Sequence, residues 1–259
     1  MRRQIEGFLQ PGGRPDASSL AGVAPHAGWE FSGRLACRVL RCLQADVETV
    51  VVVGGHLSAG DGVLAAFEQG YETPLGTLEA DLDLLACLRG RLPIAEDRRA
   101  DNTVEVQLPF IRHLLPRARA LALRAPPSRE ALALGEALAA CAGELARRVA
   151  VIGSTDLTHY GPNYGFTPRG TGPQALDWVR EENDRRLVEA LLRLEHEKVL
   201  ELARREHSAC SAGGAVAAAR FASLTGCARG RLLEYATSHE LAPGSSFVGY
   251  AAISYPAGA

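Results

Sequence analysis

Five side chains in this sequence have the chemistry of a metal or acid–base site: His26, His56, Asp156, His159 and Cys210. Imidazole nitrogen and thiolate sulfur bind borderline and soft cations, and a carboxylate beside an imidazole is a proton-transfer pair. Each follows a stretch that reads as a buried element. His26 comes after Leu20–Ala24 and Pro25, which cannot donate a ladder hydrogen bond and so ends a strand. His56 comes after Thr49–Val53 and the pair Gly54-Gly55, and Asp156 and His159 come after Val149–Gly153. Cys210 lies in the small-residue loop Ser208–Gly214, just ahead of a helix. That position is expected to lower the thiol pKa and favour the metal-binding thiolate.

These residues need a scaffold that brings them together, since His26, His56 and Cys210 lie 30 and 154 residues apart in sequence. The apolar runs at 49–53 and 149–152 do not alternate with polar residues, which marks strands buried on both faces of a parallel sheet. In a doubly wound sheet the carboxyl ends of the strands share one edge, where ligands bind. Two imidazoles and one thiolate on that edge would leave coordination positions open, which suits a catalytic metal. The donor set tolerates Fe(II), Cu or Zn. His159, oriented by Asp156, would be the acid–base pair. The plainer alternative is that all five are hydrogen-bonded turn and core residues.

The remaining pattern supplies the helices of an α/β chain. Residues 1–19, with Pro11, Gly12, Gly13 and Pro15, read as an opening loop. Apolar spacing predicts helices over 32–43, over 81–89 with Asp81 as cap, over 128–146, and then over 175–192, 195–206 and 215–224. Asp101 or Asn102 is expected to cap a helix that carries Glu105. Short strands are expected at 63–67 and 121–123, a covering loop at 161–174, and closing strands at 231–237 and 246–255. No repeat or linker interrupts the 259 residues, so one domain is expected.

Composition narrows the function classes. The net charge is −2, which gives no basic footprint for nucleic acid or an anionic membrane. No run of roughly 18 apolar residues spans a membrane, and no secretory signal is present, so a cytoplasmic protein is expected. Lys198 is the only lysine, in charged helical surroundings, which removes lysine-based chemistry. Cys37, Cys42, Cys87, Cys141, Cys210 and Cys227 show no CxxC spacing and are expected to be reduced, mostly as core filler. No helical HExxH, GxSxG, P-loop or GxGxxG occurs.

Six segments together carry a resemblance. They are PHAGWEFSG (Pro25–Gly33), VGGH (Val53–His56), NTVEVQLPF (Asn102–Phe110), STDLTHYG (Ser154–Gly161), Ser208–Gly214 and VGYAAISY (Val248–Tyr255). In this order they resemble the Memo family, known in prokaryotes as AmmeMemoRadiSam system protein B. That family looks like the class III extradiol dioxygenases of the LigB type. The resemblance implies an α/β fold: a single three-layer α/β/α domain with a central mixed, largely parallel sheet. It also implies a metal held by His26, His56 and Cys210, with Asp156 and His159 in the same pocket. A radical-SAM protein and an AMMECR-type protein are implied as partners. The chain departs from the family pattern at Trp29 or Phe31, Asn102, Ser211 and Ser238-His239-Glu240. The Asn102 change removes a pocket histidine, for which His239 is the candidate replacement if the fold brings it near, and Glu105 is the other carboxylate to place. The function expected is a non-haem iron or copper oxidoreductase acting on a small molecule. The alternatives are a phosphopeptide-binding adaptor and a zinc hydrolase.

Overall fold

A computed structural model describes residues 1–9 and 19–257. The strands are β1 (Ser19–Ala24), β2 (Thr49–Gly54), β3 (Val63–Ala65), β4 (Gly70–Tyr71), β5 (Leu78–Glu79), β6 (Ile94–Glu96), β7 (Arg119–Arg124), β8 (Val149–Ser154), β9 (His159–Tyr160), β10 (Arg231–Thr237) and β11 (Phe247–Pro256). The main sheet runs β10-β11-β1-β8-β2-β7-β3-β6, and β9 pairs with β11. Its four central strands, β1, β8, β2 and β7, are parallel. Antiparallel pairs join β11 to β1, β10 to β11 and β3 to β7, so the sheet is mixed as expected.

The absence of alternation in the central strands has a direct cause. Alternate residues of each strand enter different cores. Val51, Val53, Leu121, Leu123 and Val151 belong to one, and Val50, Val52, Ala120, Ala150 and Ile152 to the other. The first core is covered by α3 (Leu82–Arg89), α6 (Arg129–Glu144), α8 (Asp184–Leu192), α9 (His196–Glu206) and α10 (Ala212–Leu224). The second is covered by α1 (Arg2–Phe8), α2 (Trp29–Arg41) and α5 (Leu108–Leu114). The result is a three-layer α/β/α arrangement. No described helix is long and apolar enough to cross a membrane.

Several expectations need correction. The opening loop contains α1, whose Ile5 is fully buried in the second core, and Ser19 already belongs to β1. Residues 10–18 of that loop lie outside the described residues. Helix α2 starts at Trp29 rather than Ser32, because the Gly28 carbonyl accepts from both Phe31 and Ser32. The expected 175–192 helix is α7 (Pro173–Trp178), a π-turn over Val179–Asn183, and α8. Asp101 caps α4 (Asn102–Glu105), and Asp81 caps α3 as expected.

The cysteines were expected to be reduced, but Cys87 and Cys141 form a disulfide. The packing of α3 against α6 sets their Cα atoms 6.0 Å apart, within disulfide reach. Denatured protein without reductant should therefore titrate four thiols, those of Cys37, Cys42, Cys210 and Cys227, and all six after reduction. Six thiols before reduction would remove the bridge.

Candidate metal centre

The carboxyl ends of β1 and β2 deliver His26 and His56 to one edge of the sheet, and β8 ends between them at Ser154. Cys210 arrives from the connection between α9 and α10. His207, in the left-handed conformation at φ 51°, ends α9 and turns the chain toward the start of α10. That start can reach the sheet only because Gly213 and Gly214 carry no side chain. A Cβ at Gly213 would collide with the Ala125 and Pro126 carbonyls, and one at Gly214 with the Val53 carbonyl.

His26 Nε2 then lies 3.3 Å from Cys210 Sγ, and the His26 and His56 rings meet edge to face at 5.1 Å between centroids. One donor atom each from His26, His56 and Cys210 lies within 4.8 Å of the other two. A shared cation at metal–nitrogen and metal–sulfur lengths near 2.0 and 2.3 Å fits this spacing (both approximate).

The hydrogen bonds around the imidazoles assign their tautomers. Ser154 Oγ donates to the Thr103 carbonyl, so toward His26 Nδ1, 3.2 Å away, it can only accept. The proton therefore sits on Nδ1 and the Nε2 lone pair faces Cys210. Burial, against the smaller opposing effect of Asp156, lowers the His26 pKa and keeps the ring neutral. His56 is held alike: its Nδ1 lies 3.1 Å from Asp101 Oδ2, leaving Nε2 free. Burial alone would raise the Asp101 carboxyl. The Thr103 hydroxyl and N–H, with the Arg124 guanidinium, outweigh it and hold Asp101 below the usual carboxylate range.

The thiol departs from expectation. Desolvation and the nearby Asp156 carboxylate push Cys210 well above its ordinary pKa, although the Asp156 N–H donates to Sγ at 3.3 Å. In the metal-free chain the helix start does not outweigh those two effects. His26 is thus a neutral imidazole and Cys210 a protonated thiol. A divalent ion would displace one proton, from sulfur, and offset the charge left behind.

The model of the family described as "Memo-like protein" matches residues 1–254. The chain belongs to the Memo-like family. It is 34% identical over 248 residues to a MEMO1 family protein of Thermococcus onnurineus, covering 90% of this chain and 85% of that one. A MEMO1 family protein of Methanopyrus kandleri is 32% identical over 267 residues, covering 96% and 89%. Among solved structures, an uncharacterized protein from Escherichia coli K12 superposes with a TM-score of 0.52 at 14% identity, over 90% of this chain and 98% of that one. That likeness concerns the fold alone.

Of the positions singled out in the sequence, Asn102 and Ser211 lie beside the cluster. Asn102 lines the cleft above the three donors, and its amide donates to the His26 carbonyl at 3.3 Å. Ser211 Oγ donates to the Gly55 carbonyl at 2.8 Å, tying the cysteine loop to the strand end that carries His56. His239 does not join the cluster; its ring lies edge-on to Phe247, and Ser238 lines the cleft instead. Glu105 lines a different groove.

Asp156 and His159 both line the cleft, which encloses about 440 Å³, but they do not pair as expected. Asp156 comes directly off β8, and its Oδ1 accepts from the His26 N–H at 2.8 Å. His159 comes after a turn, on β9, and its Nδ1 faces the Leu157 carbonyl at 3.2 Å. A carbonyl only accepts, so a proton is on Nδ1, and the neutral tautomer of this ring carries its lone pair on Nε2. The backbone, not Asp156, fixes this tautomer. Tyr164 packs edge-on against the ring at 4.9 Å.

Sequence reasoning left out Ser154, Asp101 and Arg124 as members of the site. The available signal was the "STD" and "DN" placement next to strand ends. Asp101→Asn should weaken metal binding about 10- to 100-fold, because an amide N–H facing His56 moves the ring proton to Nε2. Competition with a chelator measures this, and unchanged affinity would remove Asp101 from the site.

Proposed function

We propose that this chain is a non-haem metal-dependent oxidoreductase acting on a small organic molecule, with dioxygen as co-substrate. The observation that supports this most is the convergence of two imidazoles and one thiol beside an open cleft lined by His26, His56 and His159. His26, His56 and Cys210 would hold Fe(II), with copper as the next fit. Such an ion supplies one-electron chemistry toward dioxygen that no side chain provides.

The chain's own groups do the rest. His159 accepts a proton from a substrate hydroxyl or C–H at Nε2. Asp156 and Ser154 fix the His26 backbone and ring. Phe31, Tyr164 and Val248 wall the cleft and limit water beside the substrate.

The test is oxygen uptake by anaerobically iron-loaded protein with a panel of catechols, phenols and thiols. His159→Gln should retain the metal and lose turnover by about 10²- to 10⁴-fold. Absence of oxygen uptake and spectral change across the panel would overturn the oxidoreductase reading. Turnover indifferent to His159→Gln would overturn its role as base.

A further inference from the structure

The segments that build the metal cleft also wall a second depression, of about 680 Å³. Ala27, Gly28, Phe31 and Asn102 face the cleft, whereas Trp29, Glu105 and Val106 line the second groove. Its apolar walls are Trp29, Tyr71, Leu108 and Pro109. The aromatic walls are fixed in place. Trp29 stacks on Phe110 at 4.2 Å and donates its Nε1–H to the Val106 carbonyl, and Tyr71 Oη accepts from the Ala122 N–H. A surface that is ordered beforehand loses little entropy on binding.

Glu68, Glu72 and Glu105 line the same groove from exposed positions. Among the described residues none of the three makes an ion pair, with an arginine or with the Met1 ammonium that also lies there. Other glutamates of this arginine-rich chain do pair: Glu136, Glu144, Glu189, Glu206 and Glu234 each meet an arginine. Among the described residues, no arginine or lysine lines the groove. An aromatic and proline-walled surface with three uncompensated carboxylates complements one chemistry above others. That is a flexible cationic side chain whose stem lies on the rings while its charge reaches the carboxylates.

We propose that this groove docks a basic segment of a partner protein, in which arginine alternates with apolar residues. The assignment is independent of which metal occupies the cleft. The probe is the peptide acetyl-Leu-Arg-Leu-Arg-Leu-amide, titrated into the full, metal-loaded chain. Trp29 and Trp178 are the two tryptophans, so Trp178→Phe makes Trp29 fluorescence the readout. In the unaltered chain the Trp29 indole N–H resonance gives the same information if that variant folds poorly.

A saturable change that weakens about tenfold in the double variant Glu72→Gln/Glu105→Gln, and at high salt, is expected. No saturation at millimolar peptide would overturn the proposal. So would equal binding by the peptide with glutamate in place of arginine, or undiminished binding in the double variant. A chain that dimerises through the groove and is not displaced by peptide assigns it to a second copy, which also overturns it.

Discussion

Cys210→Ala and His56→Ala should each remove the metal from protein purified without oxygen, whereas the unaltered chain should carry about one ion. Structural zinc sites bind with apparent energies of roughly 10–16 kcal/mol over four ligands, or about 3 kcal/mol per ligand. Losing one protein ligand therefore costs on the order of a hundredfold in affinity. His56→Ala is the cleaner of the two, because its side chain is 46% exposed and its removal leaves no cavity in the core. Cys210→Ala also leaves the Asp156 N–H without its sulfur partner. Elemental analysis by mass spectrometry decides the matter. Iron or copper abolished by both substitutions supports redox chemistry, and zinc in the same position favours hydrolysis. Metal retained by both variants would mean that the three donors do not form the site.

The second large effect concerns a residue outside the cleft. Asp184 is fully buried at the start of α8, and burial raises its carboxyl from 3.8 to about 7 despite hydrogen bonds from Thr158 and Tyr235. The folded chain keeps this proton to near neutrality, whereas the unfolded chain loses it near 3.8. Stability from this group is complete below about pH 4 and declines as the pH rises to about 7. The gap of about three pH units corresponds to roughly 4 kcal/mol.

Asp184→Asn removes that dependence while keeping the geometry. Its carbonyl accepts from the Thr158 N–H and hydroxyl as Oδ1 does now, and its amide can donate to the Tyr235 oxygen. Urea unfolding should show the variant gaining several kcal/mol on the unaltered chain between pH 4 and pH 8. A difference that stays flat with pH would show that the carboxyl titrates normally. Asp184 grips Thr158, which lies between Asp156 and His159, so the same carboxyl holds the loop that carries both. Gly249 makes room for it, since a Cβ there would collide with Asp184 Oδ2.

The central strands were legible because burial on both faces leaves an unbroken apolar run, as at Val50–Val53. The approach of His26 and His56 followed from strand ends sharing an edge, and Cys210 joins them from the α9–α10 connection. What was hidden depended on the register between distant segments. Asp101 reads as a helix cap and is one, but its second oxygen turns to His56 only because α4 lies over the ends of β1 and β2. The bridge from Cys87 to Cys141 spans 54 residues and exists because α3 packs on α6. Residues 2–8 are too short to form a helix alone; Ile5 and Phe8 bury it against the second core. Asp184, followed by two arginines, looks solvated in the sequence and points inward in the fold. The Cys210 pKa was misjudged because a helix start is visible in sequence, whereas the burial of the thiol and, after it, the nearby Asp156 carboxylate are not.

The ligand spacing also fixes when the ion can arrive. A ribosome that has just added His56 must add 154 more residues before the sulfur exists. At ordinary elongation rates that takes roughly ten to thirty seconds, and the thiol must still be seated by α10. A nascent chain shorter than that lacks one of the three donors. An ion held by all three donors would be taken up only after the segment carrying Cys210 has been made and seated by α10.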